Sequence, residues 1–175
     1  MSTSSNVLNI VIGPGMRIQD ICSHRVAIIG KYDSIYSAAR LMRDRKVNHV
    51  VVVESLGGDN TPVGILTDRE IVVNLIAEEV DLRTIAIGDI INKKQLTANG
   101  EDDVLATIKR MRHKGIRLIP VISKGKGLIG VLSIEDVLST LTEQLNDIDQ
   151  IISREQRENL WPVNNTISPT TTNYK

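Results

Sequence analysis

Gly64-Ile65-Leu66-Thr67-Asp68-Arg69-Glu70 and Gly130-Val131-Leu132-Ser133-Ile134-Glu135-Asp136 spell one pattern twice: a glycine, two aliphatic residues, a hydroxyl residue, two spacers and a carboxylate. A β-branched run precedes each copy, "HVVVVE" from His49 and "LIPVIS" from Leu118. Apolar residues at helical spacing follow, Ile71, Val72, Leu75 and Ile76 in one case and Val137, Leu138 and Leu141 in the other. The pattern therefore reads as the end of a strand, a helix cap and the start of a helix.

Working outward, Arg17 to Val53 lies over Ala86 to Ile122 at a constant offset of 69. This matches Ile18 with Ile87, Asp20 with Asp89, Ile21 with Ile90, Asp33 with Asp102 and Met42-Arg43 with Met111-Arg112. The first copy then carries a longer loop, Ser55 to Pro62, after which the glycine patterns realign at an offset of 66. Such self-similarity means two copies of one unit. In each, a short apolar stretch (Val26 to Ile29; Leu96 to Ala98) precedes an amphipathic helix. Ile35, Ala38, Ala39 and Met42 mark its buried face in the first copy, and Val104, Ile108 and Met111 in the second. A buried strand, a turn, a second strand and a second helix follow. The order β-α-β-β-α, written twice, predicts a mixed α+β (α/β) fold.

Composition narrows the function. There are 21 basic and 21 acidic residues among 175, so no global field draws the chain to nucleic acid or acidic lipid. With no Phe, one Trp and three Tyr, a platform for stacking bases is lacking. Both facts argue against nucleic acid as a partner. No apolar run approaches a membrane span of roughly 18 residues, and no secretion signal is evident, so a soluble, cytoplasmic protein is expected. The single cysteine, Cys22, forms no internal disulfide. Cys22 and His24 offer two metal ligands without a second pair, and neither a nucleophile elbow nor a P-loop occurs. The sequence predicts neither a metal site nor catalysis.

Over roughly Arg17 to Gln144 the chain resembles a tandem pair of cystathionine β-synthase (CBS) domains, a Bateman module. The resemblance implies two small sheets packed about a pseudo-twofold axis and clefts for an adenosine ligand: AMP, ADP, ATP or S-adenosylmethionine. It implies regulation of an unknown partner protein. Two alternatives stand beside it: a structural dimerisation module without ligand, and a relative of a CBS-bearing enzyme such as IMP dehydrogenase that lacks the catalytic domain.

The repeated pattern has two chemical readings. A hydroxyl at a strand-to-helix junction accepts from first-turn N–H groups, and a carboxylate three residues on accepts from the cap's own N–H; this capping box stabilises a helix by about 1 kcal/mol. By resemblance the same helix start favours phosphate and its carboxylate holds ribose hydroxyls. Capping boxes prefer Glu, which suits Glu70 to the first reading; Asp136 suits the second. The family's strand entry of glycine, aliphatic, two variable residues, aliphatic and proline is complete at Gly115 to Pro120, whereas Lys46 and Val51 stand at the matching places in the first unit. Pro120 also marks an edge strand or bulge, having no N–H for a ladder. The expected site is therefore on the second unit. Leu96, Ile116, Ile119 and Leu132 would sandwich the base, backbone near Thr97 and Ala98 would serve its polar edge, Arg117 the phosphate, and Ser133 with Asp136 the helix start and ribose. Thr67 and Glu70 form a weaker second site. Basic clusters at Arg40, Arg43, Arg45 and Lys46, and at Lys109, Arg110, Arg112 and Lys114, read as solvated helix faces.

These readings divide the chain into a mobile arm (1–15), two units (16–80 and 81–144), a helical extension (145–160) and a disordered tail (161–175). In the extension, Leu141, Leu145, Ile148 and Ile152 alternate three and four apart, the seam of a helix that continues to about Leu160 and packs on a neighbouring subunit or on its own core. A homodimer is expected.

Overall fold

A computed structural model describes residues 15–56, 59–91, 96–125 and 127–158. The expected tail and, but for Gly15, the expected arm lie outside these residues, as does the expected helix end near Leu160. The elements are α1 (Ile18–Ile21), β1 (Ile28–Gly30), α2 (Ile35–Arg45), β2 (His49–Leu56), β3 (Asp59–Thr67), α3 (Asp68–Glu70, continuing as a π-helical turn Ile71–Ile76), α4 (Ile87–Ile90), β4 (Ala98–Asn99), α5 (Val104–Lys114), β5 (Leu118–Ile122), β6 (Leu128–Ser133) and α6 (Ile134–Glu158). They form two three-stranded sheets, ordered β1-β2-β3 and β4-β5-β6, each with a parallel first pair and an antiparallel second pair.

The offset of 69 holds in atomic detail. Asp33 and Asp102 accept from the backbone N–H three residues before them (2.9 and 3.1 Å). Ser34 and Asp103 then cap α2 and α5 by accepting from Ser37 N and Ala106 N. Both helices end in the left-handed conformation, at Lys46 (φ 55°) and Gly115 (φ 64°). Lys46 thus departs from the glycine in residue type while keeping its backbone shape.

Two corrections concern strands and charges. β5 is the central strand of its sheet, so Pro120 is not on an edge; the bulge alternative is met nearby, where the register with β6 shifts between Val121 and Ile122. Its partner β4 is only two residues long and pairs at Val121 and Ile122, beyond the proline, so the sheet tolerates the missing donor. Arg110 does not belong to a purely solvated face: its guanidinium donates to the Thr97 carbonyl (2.7 Å) and to Asp102 (2.9 Å).

Each unit's core contains a segment from outside it. Ile18 and Cys22 are buried with Ala98, Val104, Met111 and Leu132, while Ile87 is buried with Ile35, Ala38, Val50 and Leu66. The lead-in helices α1 and α4 are therefore exchanged between the units. Backbone bonds hold the exchange: Ile18 N to Asp102 O and Gln19 N to Gly100 O on one side, Ile87 N to Asp33 O and Gly88 N to Lys31 O on the other. A third cluster, Val51, Val53 and Val131 with Val26, Ile65, Leu118 and Leu128, joins the sheets face to face. Full burial of a side chain of this kind contributes roughly 1.5–3 kcal/mol. The helix α6 runs unbroken for 25 residues, about 37 Å, past the second core. Among the described residues no helix is long and apolar enough to cross a membrane.

Candidate ligand cleft

Where the sheets meet, a cleft of about 730 Å³ opens between the two repeated patterns. From the first unit come Asn48, His49, Ile65, Thr67, Asp68, Arg69 and Glu70. From the second come Gly115, Ile116, Arg117, Leu118, Ser133 and Glu135. Thr67 and Glu70, expected to mark a separate weaker site, share one cleft with Ser133, Arg117 and Ile116.

Both helix starts form the same capping box. In the first unit Thr67 N and Oγ1 each donate to Glu70 Oε2 (2.9 Å), and Glu70 N donates to Thr67 Oγ1 (3.2 Å). In the second, Ser133 N and Oγ donate to Asp136 Oδ2 (2.8 and 2.6 Å) and Asp136 N donates to Ser133 Oγ (3.0 Å). Side-chain length therefore does not separate a capping carboxylate from a ligand-holding one. What distinguishes Asp136 is its partial burial, against the exposure of Glu70.

The remaining expected residues fall in three places. Ile119, Leu132 and Ala98 are buried in the second core, so their side chains do not line the cleft; Ile116 and Leu118 hold the apolar positions there. Leu96 packs against that core, and Thr97 is held through its carbonyl by Arg110. Pro120 is buried opposite Val131 of β6. It has a second consequence. In the first unit Val51 N donates to the Ala27 carbonyl (2.8 Å). The matched registers, Ile29 with Val52 and Ala98 with Val121, make Leu96 and Pro120 the counterparts of Ala27 and Val51. Proline has no N–H to give the Leu96 carbonyl.

Charges in the cleft differ between the units. Arg117 donates to Glu135 (2.5 Å), an exposed pair that contributes little to stability. At the matching places of the first unit stand Asn48 and Arg69, so the cation has moved from strand to helix. His49 Nδ1 lies 2.9 Å from Asn48 Oδ1, which accepts from it in the Nδ1–H tautomer. Burial pushes its pKa down, against the opposing pull of Asp136, Glu135 and Asp68. Sequence pattern alone does not mark His49, Asp68, Arg69, Glu135 or the clamp Arg110 as site residues. His49 is the counterpart of Leu118 in the strand entry and Asp68, Arg69 and Glu135 are spacers of the repeated pattern, whereas Arg110, the counterpart of Leu41, carries no signal in the repeat. Among the described residues no group of three or more His, Cys, Asp or Glu is placed to hold a metal.

A family model for the CBS domain matches residues 18–77 and 87–143, and the chain belongs to the CBS-domain proteins. It is 33% identical over 114 residues to the mitochondrial CBS domain-containing protein CBSX3 of Arabidopsis thaliana, covering 64% of this chain and 54% of that one. The chain spans little more than half the length of the first curated relatives it matches. Among solved structures, the hexameric CBS-CP12 protein from bloom-forming cyanobacteria is 29% identical, with a TM-score of 0.63 over 71% of this chain and 67% of that one. The CBS pair of protein MJ0100, in complex with 5′-methylthioadenosine and S-adenosyl-L-methionine, shares the fold at 23% identity, with a TM-score of 0.64 over 75% of this chain and 99% of that one.

Proposed function

We propose that the chain is a non-catalytic, cytoplasmic regulatory module whose cleft takes an adenosine ligand, AMP, ADP, ATP or S-adenosylmethionine, and whose homodimer passes the bound state to a partner protein. The observation that carries this reading is Pro120, which in the second unit lacks the N–H that Val51 gives to the Ala27 carbonyl in the first, so that the counterpart Leu96 carbonyl receives no donor from this position of the strand. An acceptor left without its donor at a sheet margin suits the exocyclic amine of adenine. Ile116 would then lie against the base, Asp136 accept from the ribose, and Arg117 exchange Glu135 for phosphate. The adenosine compounds in the MJ0100 complex support the ligand class.

Self-association is supported by apolar side chains left on α3 and α6. Val72, Ile76, Leu138, Leu145, Ile148 and Ile152 are each about half exposed. Thermal unfolding with AMP, ADP, ATP and S-adenosylmethionine tests the ligand. One of them should raise the melting temperature saturably, by the equivalent of about 2.7 kcal/mol at a hundredfold excess over Kd. A flat response to all four would leave a dimerisation module without ligand.

A further inference from the structure

The internal repeat gives every feature of one unit a counterpart in the other, so a cavity open in one and filled in the other departs from the shared plan. Such a departure lies at the end of the first sheet remote from the cleft. There Lys31, Glu54, Val63, Gly88 and Asp89 border a cavity of about 510 Å³. Their counterparts are Gly100, Ser123, Ile129, Gln19 and Asp20. A β-carbon at Gly100 would stand 2.8 Å from Ile129 Cδ1 and 3.2 Å from Gln19 Oε1, so those two side chains fill the space in the second unit. In the first unit the smaller Gly88 and Val63 replace them, and the space is open.

Charge stands at this place in both units, but only in the first does an ion pair border open space. Lys31 pairs with Glu54, and its ammonium lies 4.8 Å from the centre of the Tyr32 ring. Both members of the pair are partly buried, at 24% and 31% side-chain exposure. Gly100 and Ser123 provide no such pair. The second unit's own pair, Arg17 with Glu101, stands at the counterparts of Ala86 and Tyr32, so the Lys31–Glu54 pairing is particular to the first unit.

We propose that this cavity is a second ligand site, separate from the cleft, for a small zwitterion with an apolar side chain, that is, an α-amino acid. Its volume is within the range of small-molecule sites. Lys31 would meet the carboxylate, Glu54 and Asp89 the ammonium, and Pro62, Val63 and Ile91 the side chain. A simple anion or cation satisfies one member of the ion pair and strands the other, whereas a zwitterion serves both.

Isothermal titration of the full chain with L-leucine, 4-methylpentanoate and 3-methylbutylamine tests this. Leucine should bind saturably at one site per chain, with the acid and the amine weaker by about tenfold or more. Lys31→Met and Glu54→Ser should each raise the Kd for leucine by about tenfold or more, with melting curves confirming that both variants fold. Val63→Ile, which restores one filling side chain and keeps the ion pair, should also weaken binding. The proposal is overturned if leucine, valine and methionine give no saturable heat up to about 10 mM. It is equally overturned if the acid or the amine alone binds as well as leucine, or if leucine binding ignores the substitutions.

Discussion

The thiol of Cys22 lies over Gly130: a β-carbon on that glycine would come within 2.8 Å of Cys22 Sγ and 2.9 Å of the Ser23 carbonyl oxygen. Ile91 sits over Gly64 in the same manner, its Cβ 2.9 Å from the corresponding position. The glycine that opens each repeated pattern is therefore the seat of a segment arriving from the other half of the chain. Gly130→Ala has rigid backbone to displace and should lower stability by roughly 1–3 kcal/mol, read from urea unfolding. An unchanged midpoint would mean that the seat yields without cost.

Pro120→Val should do two opposite things. It supplies the N–H that Val51 supplies in the first unit, adding roughly 0.5–1.5 kcal/mol of stability, and it occupies the acceptor assigned to adenine, weakening adenosine ligands by about tenfold. Unfolding and calorimetry on the same variant separate the effects; tighter or equal ligand binding would remove Leu96 from the site.

Asp136→Ala and Glu70→Ala each dismantle a capping box and should each cost about 1 kcal/mol of stability. Only Asp136→Ala should also reduce affinity, by roughly 1.5–3 kcal/mol, as expected for hydrogen bonds to a charged group. A larger affinity loss from Glu70→Ala would assign the ribose to the first unit.

His49 sets a pH dependence. Its pKa is lower in the folded chain than the ordinary 6.5, so the unfolded chain binds the proton more readily. The contribution of neutral His49 to stability is complete above about 6.5 and is lost as pH falls from there through the lowered folded value. Stability should decline over that window, and His49→Gln should reduce the slope. Because Asp68, Glu135 and Asp136 oppose the shift, removing any of these charges should steepen it. Identical slopes with and without His49 would assign the titration to other groups.

Ile148→Asp with Leu145→Asp should shift sedimentation from dimer toward monomer while the melting profile of the two units is retained, because both side chains lie beyond the cores. A chain that already sediments as a monomer at about 10 µM would refute self-association through this face.

Much of the fold was legible because the signals were local. The matched registers follow from β-branched runs, and the caps at Ser34 and Asp103 from residue type. The site was less legible, since period-two alternation in β5 does not say which face meets the core: Ile119, expected against the base, is buried, while Leu118 borders the cleft. Arg110 and His49 were obscured for another reason. Their roles depend on carbonyls and carboxylates brought near by the tertiary fold, and spacing along one helix or strand does not encode those distances.

The exchange of α1 and α4 has a consequence for how the chain acquires its shape during synthesis. The first unit cannot close its core until Ile87 has emerged, and Ile18 must wait until residues beyond Val104 are made. A nascent first half carries an apolar lead-in with no seat and a core with a missing wedge. Neither half is a natural stopping point, so the pair should fold as one cooperative body, and a cut between the units should yield fragments that complement each other and do not survive apart.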